Sequence, residues 1–384
     1  MLRLSHFHYF SRALSRETSE VYWHAIINNL ALAMVFIFEP IYLWTLGYSL
    51  IQIMWFYVQV YVWYAFLVGA GAKFASRLGY KHSIFLSNFF YVFYWLALFS
   101  TKSYPLLFFI APILFASQKS LFWPAYNADI ALAEQKKQRG RELGVLFSLQ
   151  QLAFIAGPFL GGFISGVFGF KILFSISSAL MMLSVYPLFR SPEIYSRHRF
   201  HFRRLWQILR RHTRNFFGYW GYAEDLMLMS LWPIYMFMVV PNFFGLGTVS
   251  MIATLVGTVI MLYVGRLTDR TNKRKLVEEA AVFYGITWLI RFVARDLPTV
   301  LIMDSVTKTG KSVTNLPMVA LTFDRTGQGS ADFAIAYSVF VEFALSIGKV
   351  ITALAAIAIL YFTGSLFLVF ALVGFMTMLY SLIK

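Results

Sequence analysis

Apolar runs of roughly 20 residues, each closed by a short polar or basic stretch, recur along the whole chain. They lie near 22–46, 50–72, 83–101, 104–131, 143–167, 170–189, 216–240, 248–267, 277–296, 298–322, 333–361 and 364–383. A helix of that length crosses the hydrocarbon core of a bilayer while satisfying its own backbone, so each run predicts a transmembrane helix. The expected fold class is therefore an all-α membrane protein with twelve transmembrane helices. Pro and Gly interrupt several runs, which spanning helices tolerate where neighbours satisfy the freed backbone groups. Residues 1–18 are polar and basic, without the apolar stretch or small-residue cleavage site of a signal peptide. The first helix is thus expected to insert and stay.

Composition agrees with the pattern. Apolar residues make up 59% of the 384 and charged residues 13%, against about a quarter charged in soluble domains. There is no cysteine, which excludes disulfides and thiol chemistry. The net charge of +16 invites a nucleic-acid reading, but the basic residues sit in short loops between apolar runs. Of the 33 Lys and Arg, 25 fall on one side of the twelve runs and 3 on the other. By the positive-inside rule both termini face the cytoplasm, and the expected location is the plasma membrane.

The pattern also repeats. PIY at 40–42 returns at 233–235, Pro105 returns as Pro298, Pro124 as Pro317, and the basic loop at 72–81 returns at 265–274. Each pair is offset by 193, close to half the length. This predicts two pseudo-symmetric six-helix halves, residues 1–189 and 216–384, with a substrate site at their interface. The basic segment 190–215 joins them. Within it, FRRLWQILRRH places Phe202, Leu205, Trp206 and Leu209 on one face, with Arg203, Arg204, Arg210 and Arg211 around the other. That is the pattern of an interfacial helix drawn to anionic headgroups of the inner leaflet.

Ten charges lie deeper than the third residue from either end of their apolar run: Glu39, Glu224, Asp225, Asp304 and Glu342 against Lys119, Arg291, Lys308, Lys311 and Lys349. An ionised group at the bilayer centre costs about 2.5–3.5 kcal/mol on insertion scales, so most of these should pair or face a wet cavity. Asp304, Lys308, Lys311 and Asn315 sit at roughly 0°, 40°, −20° and 20° around a helix, one narrow face expected to line a central cavity. Asp304 and Lys308 form a favourable i, i+4 pair, which leaves Lys311 for Glu224 or Asp225, or for an anionic substrate. Glu342 and Lys349, seven apart, share another face. Proton coupling needs an acid whose surroundings change between states, and Glu224, Asp225 and Asp304 are the candidates. Glu39, just before Pro40, is either a gate residue or reaches the outer headgroups. Asn28, Asn29, Gln150 and Gln151 offer substrate contacts or bonds between helices. The aromatic run IMWFYVQVYVWYAF at 53–66 is expected to face mainly lipid.

Two motifs carry a family resemblance. GRLTDRTNKRK at 265–275 resembles the signature loop of the major facilitator superfamily at Gly265, Leu267, Asp269, Arg270, Lys273 and Arg274. Asn272 stands where the second glycine would be, a mild change because Asn tolerates positive φ. The companion loop at 72–82 keeps Arg77, Gly79 and Lys81, with Ala72 and Ser76 departing from the pattern. The resemblance implies that these loops latch the cytoplasmic side by pairing with neighbouring helix ends. GVLFSLQQLAFIAGPFLGG at 144–162 resembles the superfamily's antiporter motif at Gly144, Gly157, Pro158, Gly161 and Gly162, with Ala153 in one glycine position. The preceding RGRELG at 139–144 resembles the family's loop between spans four and five.

What these features imply is a secondary transporter of alternating-access type, and the preferred mode is proton-coupled export of a small amphipathic or hydrophobic compound. Uptake of an anionic metabolite through Lys308, Lys311, Lys119 and Lys349 is the rival within the class. A non-transporting membrane sensor on the same scaffold is the rival outside it. No GxxxxGK[ST] loop, HExxH, paired metal-spaced His or Gly-x-Ser-x-Gly occurs, so no enzyme activity, cofactor or metal is expected. The expected partners are a small-molecule substrate, protons and membrane lipids, with no nucleic acid, and the chain is expected to work as a monomer.

Overall fold

The computed structural model describes residues 16–133, 139–190, 200–327 and 331–383, and every regular element among them is helical. Seven helices come first: α1 Arg16–Val35, α2 Phe38–Thr45, α3 Leu50–Leu78, α4 Tyr80–Ser100, α5 Leu107–Ala133, α6 Arg139–Val167 and α7 Gly169–Leu183. A short amphipathic helix, α8 Phe202–Arg211, follows. The remainder comprises α9 Thr213–Gly218, α10 Glu224–Met229, α11 Leu231–Val239, α12 Phe243–Arg270, α13 Lys273–Leu289, α14 Leu297–Gly327, α15 Ala331–Thr363 and α16 Leu366–Thr377. Among the described residues, seven helical stretches are long and apolar enough to cross a membrane, and two shorter apolar helices accompany them. The charges of α14 and the breaks between α9 and α11 keep those segments outside the seven.

Two of the expected continuous runs are broken, and in the same way. The run near 22–46 turns at Phe36 and Ile37 before α2, and the run near 216–240 breaks at Ser230 before α11. Pro40 and Pro233 each occupy the third residue of the short helix after the break. An N–H there has no intrahelical acceptor, so a proline costs no hydrogen bond. Gly79 (φ 101°) makes the sharp turn from α3 to α4, which an L side chain would strain.

Helices α1–α7 pack among themselves, as do α9–α16, and the two groups meet along α3 with α15, α6 with α12, and α2 with α11. This placement corrects the expectation for 53–66. Trp55, Trp63 and Phe66 are exposed, but Phe56, Tyr57, Tyr61 and Tyr64 are buried, because α3 is held between α5 and α15. The single apolar face expected of α8 is also divided. Leu205 and Leu209 pack against the core, whereas Phe202 and Trp206 are exposed. Helix α8 rests on α3 at Gly69, where a Cβ would come within 2.6 Å of the Phe202 ring.

Candidate functional site

An ionic hub forms where α10, α14 and α15 converge. Asp225 accepts hydrogen bonds from Lys311 and from Lys349, the latter at 2.8 Å. Lys311 also lies 3.6 Å from Glu224. Glu224 is fully buried and takes hydrogen bonds from Tyr284 at 2.6 Å and Tyr380 at 3.2 Å. Gly348 explains how Lys349 gets there. A Cβ at that position would stand 2.7 Å from the Trp220 Cα, so only a glycine lets α15 approach the turn that leads into α10. The leftover Lys311 of the sequence pattern thus finds both of its candidate acids.

Beside the hub opens a cavity of about 160 Å³ between the two groups of helices. Its lining includes Asp225 and Lys349 of the hub, Lys119, Glu342, Asn315 and Trp123, and tyrosines of α3 and of the segment before α10. Glu342 of α15 is bonded across the interface, by Tyr64 of α3 at 3.0 Å and by Asn127 of α5 at 2.9 Å. It does not pair with Lys349, its helix-face neighbour, because Lys349 turns to Asp225 and to the Tyr61 hydroxyl at 3.2 Å. The Lys119 ammonium sits among four rings, those of Phe115, Tyr61, Tyr64 and Trp123, at 5.1 to 5.9 Å from their centroids.

The stripe on α14 does not line this cavity as a unit. Asn315 does, and Lys311 reaches the hub behind it. Asp304 and Lys308 pair at 2.9 Å, as their spacing predicts, but turn toward other helices. Lys308 donates to Ser250 and Thr254 of α12, and Trp232 donates to Asp304 at 2.9 Å. The physical reason is that α14 is gripped by α12 and α13, so a face that is narrow at one end meets different neighbours along its length. Arg291, fully buried, stacks on Trp288 with its guanidinium carbon 3.2 Å from the ring centroid and donates to Thr307.

Glu39 does not reach outward. It is buried, and Trp95 at 2.6 Å and Tyr94 at 3.0 Å donate to its carboxylate. Asn28, Asn29 and Gln151 lie away from the cavity: Asn28 is buried in α1, Asn29 donates to the Ala25 carbonyl, and Gln151 contacts the Met261 sulfur. Gln150 donates to the Tyr126 hydroxyl. Sequence reasoning missed Tyr64, Tyr284, Tyr380, Trp232 and Asn127. Only Asn127 carried a signal, as a polar residue inside an apolar run. The others are lost among many aromatic residues.

The profile of the Major Facilitator Superfamily matches residues 23–277. The chain belongs to that superfamily. It is therefore an integral membrane protein built as a secondary transporter of a small molecule. Among curated proteins no match to the sequence is found. Among solved structures, a mutant of the nucleoside transporter NupG matches with a TM-score of 0.70 at 11% identity, over 95% of this chain and 96% of that one. FucP, a Major Facilitator Superfamily transporter in the outward conformation, matches with 0.66 at 14% identity, over 95% and 96%. At such identities the likeness is one of fold.

The superfamily's signature loop is seen in part. The surroundings of Gly265 and Gly144 and the side chains of Asp269 and Arg270 lie outside the described residues. Lys273 pairs with Asp324 at 2.6 Å, tying the start of α13 to the end of α14, and Arg274 pairs with Glu278 at 3.0 Å within α13. Asn272 does not use a glycine-like conformation: at φ −67° it caps α13, accepting from the backbone of Arg274 and Lys275. Arg77 and Lys81 flank Gly79 at the equivalent turn between α3 and α4. In α6, Gly157 and Gly161 face α1, where a Cβ would meet Ala33 at 2.3 Å and the Met34 carbonyl at 1.9 Å. Gly162 faces α12, with the Phe243 carbonyl at 2.4 Å. Pro158 lies inside the helix between these contacts.

Proposed function

We propose that this superfamily member couples proton movement to the export of a small amphipathic compound, with Asp225 as the proton carrier. The observation that carries the reading is the position of Asp225: it faces the cavity while held by Lys311 and Lys349. Glu224 accepts from two tyrosines behind the hub, and Asp304 is engaged by Trp232 and Lys308, so neither shares a surface with substrate. When the cavity changes sides, Asp225 exchanges its lysine partners for water or substrate. A carboxylate parted from cationic partners in a low-dielectric site favours its neutral form, which links proton binding to the conformational state. The resemblance of α6 to the antiporter motif, and its glycine contacts with α1 and α12, support exchange over co-transport.

The rest of the reading follows the sequence. Twelve spans form two halves, 1–189 and 216–384, that rock about the cavity. Glu39 and Trp232, 193 apart, both stand just before the prolines of α2 and α11, which supports the repeat. Both termini and the α8 linker lie on the cytoplasmic side of the plasma membrane, with the α8 arginines toward anionic headgroups. Uptake of an anion through four lysines is the weaker reading, since Lys308, Lys311 and Lys349 each have an acid beside them.

The test uses proteoliposomes loaded with a pH-sensitive dye and a panel of cations, neutral amphiphiles, zwitterions and carboxylates. Proton movement opposite to a transported compound, abolished in Asp225→Asn and retained in Asp304→Asn, is the expected result. Flux that keeps its proton coupling in Asp225→Asn removes Asp225 as carrier. Binding with no flux of any compound makes the protein a sensor.

A further inference from the structure

Two charges in the cavity have no part in the hub. Lys119 and Glu342 are each 8% exposed and both line the cavity. Among the described residues the Lys119 ammonium has no hydrogen-bond acceptor. Four ring faces lie near it. Glu342 has two neutral donors, Tyr64 and Asn127, and no cation in ion-pair contact. Buried charges are normally paired, and an ammonium among rings recovers only part of what it loses in leaving water. The other in-span cations differ. Lys308, Lys311 and Lys349 each sit beside a carboxylate, and Arg291 has a hydrogen bond to Thr307.

The pair also spans the interface. Lys119 is on α5 and Glu342 on α15, which belong to the two opposed groups of helices. A third polar group, the Oδ1 of Asn315 on α14, is enclosed without a donor in the same lining. The rest of the lining includes Trp123, Tyr222, Met318 and Leu345. A cavity of roughly 150 Å³ holds a molecule the size of benzene, and this one is of about that size, which admits a ligand of few heavy atoms.

We infer that the cavity binds a small zwitterion, its carboxylate on Lys119, its ammonium on Glu342 and Asn315, and a short apolar portion against the aromatic wall. The inference rests on the reading of this cavity as the transport site. A zwitterion matches the site charge for charge, whereas a simple anion would confront Glu342 and a simple cation would confront Lys119. Because its two ends engage opposite groups of helices, the bound molecule ties them together, so its arrival and departure change the energy of closure.

The experiment compares sets of three related probes on the purified full chain: aromatic and aliphatic amino acids, their decarboxylated amines and their deaminated acids. Ligand-induced thermal stabilisation gives affinities, and the same probes are then tested for flux in proteoliposomes. At least one amino acid is expected to bind about 10- to 100-fold more tightly than both of its partners, the range for losing one charge-assisted hydrogen bond. Lys119→Gln should remove its advantage over the amine and Glu342→Gln its advantage over the acid. Lys119→Arg and Glu342→Asp keep the charges and should retain most of the preference, which separates ligand recognition from folding. If in every set the amine or the acid binds as tightly as its amino acid, the inference is overturned, as it is by an advantage unchanged in both Gln variants. If no amino acid binds while other compounds drive proton-linked flux, the zwitterion class is overturned and the transport reading stands. If amino acids bind with this preference and nothing is transported, the transport reading fails and the binding inference stands.

Discussion

Tyr64 and Glu342, 278 positions apart, meet at 3.0 Å and join α3 to α15 across the interface between the two groups of helices. A hydrogen bond to a charged group contributes about 1.5–3 kcal/mol, enough to bias two conformations that differ by a few kcal/mol. Tyr64→Phe should therefore loosen this contact and raise exposure of the cavity. The chain has no cysteine, so a single Thr326→Cys in the cavity lining reports access cleanly. Its labelling rate should rise about 10-fold in the Tyr64→Phe background. An unchanged rate would show that the bond ties nothing together.

Glu39 depends on Trp95 and Tyr94 for hydrogen bonds. Trp95→Phe leaves a buried carboxylate oxygen without its donor and should lower stability by about 1–3 kcal/mol. Glu39→Gln keeps an acceptor in the same shape and should cost less. Thermal unfolding in detergent ranks the two, and the opposite order would mean that the charge of Glu39 has a cationic partner.

Gly161 and Gly162 make opposite predictions about state. A Cβ at Gly161 would drive into the Met34 carbonyl of α1, within one group of helices, so Gly161→Ala should destabilise by about 1–3 kcal/mol. A Cβ at Gly162 would push α6 from α12, across the interface. Gly162→Ala should therefore shift the balance of conformations, read by cysteine labelling near Phe243, with a smaller loss of stability. Equal stability losses and no change in labelling would show that α6 packs both neighbours in one rigid unit.

Arg291 tests what a buried guanidinium does when two of its nitrogens, Nε and Nη1, lack acceptors among the described residues. Its planar face lies on Trp288. A compact ammonium cannot stack in that way, and an apolar side chain carries no desolvation cost. Arg291→Lys should thus destabilise more than Arg291→Met in the same unfolding assay. The reverse order would place an acid partner within reach of residue 291.

Much of the architecture was legible because a bilayer imposes simple demands. Runs of about 20 apolar residues and the basic loops predicted a helical membrane protein, and the loop at 265–275 resembled the superfamily that the family match then identified. Spacing within one helix was also readable. Asp304 does pair with Lys308, four residues on.

Partners and cavity were decided only by tertiary structure. Pro233 clashes with the helical carbonyl four residues back and so marks the break at Ser230 locally, but only packing sets α11 against α2. A helical wheel puts Asp304, Lys308, Lys311 and Asn315 on one face, but it cannot say that α12 takes Lys308, α10 takes Lys311 and the cavity takes Asn315. Glu342 and Lys349 share a face and still choose partners 215 and 124 positions away, Asn127 and Asp225. Periodicity records which side of a helix a residue occupies. Which helix stands on that side is a long-range property, set by packing that no local stretch of sequence contains.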